Sequence, residues 1–155
     1  MTMRKTILAA AFAISALGAG AVIAADMNII QERQACMKAQ GKMMGELVLI
    51  MKGEKPFDAA AVKTASEIPA AACANWDKFW SEDSKPGSEM AKATETWAKE
   101  EIWTDPEGFK KAGMDVYAHE QAMFKAADDA GFKAAFKELA GCKGCHEKFR
   151  RPKEG

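Results

Sequence analysis

The C-terminal end of the chain carries an apolar stripe that only a helix gathers on one face. Phe132, Ala135, Leu139, Cys142, His146 and Phe149 recur at steps of three, four, three, four and three, the spacing of residues on successive helical turns. Cys142 and His146 are members of the stripe, so a helix also positions the two most reactive side-chain types in the segment. No stretch alternates apolar and polar residues with period two for long, so strands are not expected.

Helical spacing recurs upstream. From about Met27 to Lys52 the stripe is Ile30, Met37, Gly41, Met44, Val48 and Met51, and Gly53-Glu54-Lys55-Pro56 ends it. Asp58 is the expected N-cap of a second helix, Ala59 to about Phe79. Ser81 to Ser88 reads as a loop, and Glu89 to Lys99 as a partly helical piece. Thr104-Asp105-Pro106-Glu107 reads as a capping box with proline in the first turn, opening a third helix that runs to about Ala127. Asp128-Asp129 is expected to cap a fourth, about Gly131 to Arg150. Four amphipathic helices with mostly short links predict an all-α, antiparallel up-down four-helix bundle.

The N-terminus reads as an address. Arg4 and Lys5 precede an apolar run from Ile7, and small residues follow through Ala25. This is the layout of a cleaved secretory signal peptide, residues 1–25, leaving one domain over residues 26–155. Losing Arg4 and Lys5 turns 22 basic and 22 acidic side chains into a formal charge of −2. That balance gives no surplus of cations for binding nucleic acid. No further apolar run of spanning length follows, so no membrane association is expected after cleavage, and the periplasm is the expected location.

Cys142-Lys143-Gly144-Cys145-His146 is the C-x-x-C-H signature of c-type haem attachment. Cysteines three apart on a helix both reach one edge of a flat macrocycle, and His146 stands next to them as an axial ligand. A thioredoxin-like site expects a βαβ context, and a zinc site expects a second ligand pair; neither is visible. Cys36 and Cys73 are a separate pair. They lie level if the first two helices are antiparallel about residues 54 and 55. A disulfide is allowed there, and two buried thiols acting as small hydrophobes fit equally well. Nothing resembles a nucleophile–base pair or a phosphate-binding loop, so an ordinary enzyme is not expected.

The chain resembles the class II c-type cytochromes, the cytochrome c′ family. The likeness rests on Cys142 to His146 followed by Glu147-Lys148-Phe149-Arg150, on Ile30 to Gln34 with Met37, Lys38 and Gly41, on Lys52 to Val62, and on Glu101-Ile102-Trp103 with Asp105. Phe79-Trp80-Ser81-Glu82 departs from the Phe-Pro-x-Gly frequent in that family. The resemblance implies one covalent haem c per chain, with Cys142 and Cys145 as attachment points and His146 as proximal iron ligand. It places Arg33 and Gln34 near the haem propionates, and Met37 opposite His146. Methionine there marks the low-spin branch. The expectation is therefore a periplasmic one-electron carrier with His146 and Met37 on the iron, serving periplasmic redox proteins. The alternative is a five-coordinate cytochrome c′ that binds nitric oxide or carbon monoxide beside an unligated Met37. His119, at helical spacing from Ala112, Val116 and Met123, is a further candidate ligand. Relatives often dimerise through the first two helices, so a homodimer is compatible with this reading.

Overall fold

A computed structural model describes residues 27–139 and 141–152. The expected signal peptide lies outside the described residues. The helices are α1 (Ile29–Met51), α2 (Ala59–Ser66), α3 (Glu89–Ala93), α4 (Glu101–Thr104), α5 (Pro106–Phe124), α6 (Asp129–Glu138) and α7 (Gly141–Phe149), with 3-10 turns at Trp76–Trp80 and Glu82–Ser84. The described residues contain no strand, only an isolated antiparallel bridge between Ala98 and Arg150. α1, α2, α5 and the α6–α7 pair are the arms of an antiparallel up-down bundle, and the short helices lie in the connection between the second and third arms.

Local chemistry sets the ends of α1. Asn28 accepts from the amides of Ile30 and Gln31, and the Gln31 side chain returns to the Asn28 amide, a reciprocal capping box. At the other end Gly53 takes a positive φ of 75°. Its amide donates to Ile50 and that of Glu54 to Leu49. This is a Schellman closure, which needs a residue without a Cβ penalty in the left-handed region.

Three expected boundaries are corrected. The second helix stops at Ser66, well short of Phe79, because Pro69 has no amide hydrogen and its ring collides with the preceding turn. The chain continues as turns, with Ile68 donating to Ala65 and Ala70 to Glu67. The third helix is capped by Asp105, whose side chain accepts from the Gly108 amide at 3.0 Å, and not by Thr104, which ends α4. A Cβ at position 108 would collide with that carboxylate, so the cap and the glycine belong together. The fourth helix is delivered as α6 and α7. Asp128 caps α6 through Gly131, and at the junction Cys142 donates to Leu139 in an i→i+3 bond that tightens the turn.

One apolar core joins the four arms: Met43, Leu47 and Ile50 from α1, Val62 and Ala65 from α2, Met123 from α5, and Phe132 and Leu139 at the α6 side. Burying a side chain such as Phe132, with no exposed surface, is worth roughly 1.5–3 kcal/mol. The stripe expected for α1 is turned by about one residue. Ile30 is buried as expected, but the remaining buried positions are Arg33, Cys36, Met43, Leu47 and Ile50. Met37 and Met44 are half-buried and Gly41 is exposed, on the face next to the core.

Two tethers hold the long connection between α2 and α5 against α1. Cys36 and Cys73 form a disulfide, with Cα atoms 4.8 Å apart. Arg33 is 5% exposed. Its guanidinium donates to the Phe79 carbonyl at 2.8 Å, the Ser84 hydroxyl at 3.3 Å, the Ser84 carbonyl at 3.5 Å and the Thr96 hydroxyl at 2.6 Å. It also lies over the Trp80 ring at 5.1 Å. At its far end the connection is stitched to the exit of α7, where Lys99 donates to the Phe149 carbonyl and Arg151 to that of Trp97.

Two outcomes follow from these tethers. The crosslink spans 37 residues, so Cys36→Ala with Cys73→Ala should lower unfolding free energy by about 3–4 kcal/mol on chain entropy alone, read by denaturant titration. Arg33→Met removes the buried donors shared by the Phe79 and Ser84 carbonyls and the Ser84 and Thr96 hydroxyls. It should cost about 3 kcal/mol or more, seen as a lowered Tm and early proteolysis between residues 79 and 96.

Candidate haem site

α7 presents the attachment motif. Cys142 and Cys145 are half-buried, are both free thiols, and sit one helical turn apart. Each leans on a different apolar cluster. Cys142 packs against the main core, and Cys145 against a second cluster built on Ala98, Ile102 and Phe149. Burial raises the pKa of both thiols, and the neighbouring Glu120 carboxylate adds to the effect at Cys142. Both therefore stay protonated at neutral pH, and neither is the activated thiolate of a redox site.

His146 follows directly. It is exposed to solvent, yet nearby protein removes enough water to lower its pKa, and the Arg150 charge lowers it further. The sign matters. A depressed pKa keeps the imidazole neutral, with a lone pair free for a metal, over more of the pH range.

The other expected site residues lie on α1. Met37 and Gln34 are half-buried, and Gln34 donates to the Glu95 carbonyl at 2.7 Å. Arg33 has no carboxylate partner among the described residues. All its hydrogen bonds go to neutral oxygens, and burial lowers its pKa to about 10, which leaves it charged at neutral pH. His119 is half-buried on α5. Beside it Glu120 is a carboxylate whose pKa is raised by burial. Sequence reasoning missed Glu120. Its signal is only the register that puts it one turn before the buried Met123.

A covalently held, flat, mostly apolar cofactor fits this arrangement. Two cysteines pair with each other elsewhere in the same chain, while Cys142 and Cys145 remain free at the spacing of a double thioether. α7 packs on α5 and α4, whereas α1 packs on α2, α6 and the Trp76–Trp80 turn. On α1, Met44 and Met51 pack against the main core while Met37 belongs to neither apolar cluster, and a Cβ added at Gly41 would meet no atom within 4 Å. Among the described residues no cluster of three or more His, Cys, Asp or Glu side chains stands ready for a bare metal ion.

Comparison with known proteins agrees. The Cytochrome C′ family profile matches residues 28–150. Cytochrome c-556 of Agrobacterium fabrum is 38% identical over 157 residues, covering 99% of this chain and all of that protein. Cytochrome c′ of Cereibacter sphaeroides is 35% identical over 153 residues, covering 96% and 98%. A solved nitric oxide complex of a cytochrome c prime variant from Alcaligenes xylosoxidans superposes with a TM-score of 0.67 at 25% identity, covering 81% of this chain and 94% of that one.

These relatives correct the expected function. An exogenous diatomic ligand takes the axial position that a methionine would otherwise hold. The cytochromes c′ among the matches, one of them solved with nitric oxide bound, therefore contradict the reading of a one-electron carrier with a closed His/Met haem. Its cofactor is one covalently attached haem c per chain. The chain belongs to the cytochrome c′ family.

Proposed function

We propose that this protein is an exported, five-coordinate cytochrome c′ that binds nitric oxide or carbon monoxide at the open face of its haem. The observation that carries the reading is the pair of free thiols one turn apart, followed by a neutral histidine, in a chain whose relatives include a solved nitric oxide complex. A haem held here would supply an iron able to bind a small gas. The chain's own residues do the rest. Cys142 and Cys145 hold the macrocycle through two thioethers and fix its orientation. His146 is the proximal ligand.

Met37 lines the opposite face without ligating. Its half-buried, flexible thioether excludes water and limits the size of what enters. Arg33 and Gln34 lie toward the propionate edge, where the Arg33 charge offsets that of a carboxylate. Residues 1–25 direct export, so the site of action is the periplasm.

The reading is tested on mature, haem-loaded protein. Ferrous wild type and Met37→Leu should both bind carbon monoxide, with affinities that differ by the steric change alone and with no ligand to displace in either. Cys142→Ser with Cys145→Ser should lose all haem staining on a denaturing gel. Carbon monoxide binding that appears only when Met37 is replaced would overturn the proposal.

A further inference from the structure

Trp80 carries the one buried side-chain N–H among the described residues that has no acceptor. The rest of the residue is well engaged. Its ring stacks edge-on to Phe109 with centroids 4.6 Å apart, and Phe109 in turn packs on Phe149 of α7 at 5.1 Å. Its carbonyl accepts from the Trp103 indole at 3.0 Å. Only Nε1 is stranded. A buried donor left unmade costs about 1–3 kcal/mol, and native interiors rarely leave one without a reason.

The neighbour above the ring has the complementary defect. Arg33, 5.1 Å from the Trp80 centroid, is a buried cation with no carboxylate to balance it. A stranded donor and an unbalanced positive charge on one patch call for the same object, a carboxylate. The patch belongs to the haem site on two counts: Trp80 and Cys145 pack against the same apolar cluster, and Arg33, over the Trp80 ring, is the residue that the reading above sets at the propionate edge. The haem brings two propionates, which are the only strong acceptors on its periphery.

The geometry points to a role for Trp80 that rests on the haem reading above: we propose that its Nε1–H donates to a haem propionate, completing with Arg33 a two-part carboxylate clamp. Trp80 is then a cofactor-positioning residue. It stands in the segment where this chain departs from Phe-Pro-x-Gly, and the residue there in that pattern, proline, has no side-chain donor.

The test uses haem-loaded wild type and Trp80→Phe, which keeps an aromatic ring against Phe109 and removes the donor. Ultraviolet resonance Raman difference spectra report whether the Trp80 indole N–H is hydrogen-bonded. Visible-excited spectra report the propionate bending band. The expected result is a hydrogen-bonded indole in wild type and a shifted propionate band in the variant. Trp80→Tyr, a second variant that keeps a ring but moves the donor, should shift the band as well. A free indole N–H overturns the proposal, and so does a hydrogen-bonded one whose removal leaves the propionate band in place, because the acceptor is then water. Wild type without covalent haem overturns the underlying reading and this proposal together. A haem-loaded protein with an unmoved band overturns this proposal alone.

Discussion

A single buried guanidinium organises the part of this molecule that no regular helix covers. The connection from Glu67 to Asp105 holds only short helices and turns, which satisfy few of their own backbone groups over distance. Arg33 supplies donors to Phe79, Ser84 and Thr96 from the first turns of α1. Arginine suits the task because its planar fork reaches several acceptors at once and keeps its charge when buried. The Cys36–Cys73 bridge fixes the same connection one turn further along α1, and the Phe149 and Trp97 carbonyls tie its far end to α7. The wall beside the attachment motif is thus held at both ends by specific bonds and does not depend on helix propensity.

That arrangement leaves α1 with two jobs on neighbouring faces. One face spends Met43, Leu47 and Ile50 on the core. The next, with Met37 half-buried and Gly41 exposed, stays half-open. A flat cofactor joined to Cys142 and Cys145 uses apolar surface of this kind. The thiols sit at the seam between two clusters, so thioether formation there would also join the main core to the Phe149 cluster. A prosthetic group here would contribute apolar bulk that the chain lacks, so its attachment would stabilise the fold. α5 illustrates the point: over 19 residues it buries only Met123 among the described residues.

The sequence made the helical class, the attachment motif and most helix starts legible, because each rests on a local rule. Asn28, Asp58, Asp105 and Asp128 all accept from amides two or three residues on. The differences lie where one local rule overrides another. Pro69 outweighs the helical spacing that runs past it and ends α2 early. The stripe of α1 was offset because methionine occupies both the buried and the half-buried face, and periodicity does not separate adjacent apolar stripes. The break between α6 and α7 is hidden by a stripe whose spacing continues across it. The disulfide followed from antiparallel register but needed the structure to choose between bridge and thiols. The open or closed state of the haem was not legible at all from Met37, since a thioether at helical spacing serves equally as ligand or filler. Relatives decided against the ligand. Trp80 Nε1 was invisible for another reason: burial without a partner is a property of three-dimensional packing.

The central claim is that one face of the haem is free of any protein ligand. Electron paramagnetic resonance of the mature ferric protein tests it most directly, because spin state follows the number of strong axial ligands. A high-spin signal, unchanged in Met37→Leu, is the predicted result. A low-spin signal that turns high-spin only when Met37 is replaced would contradict the account.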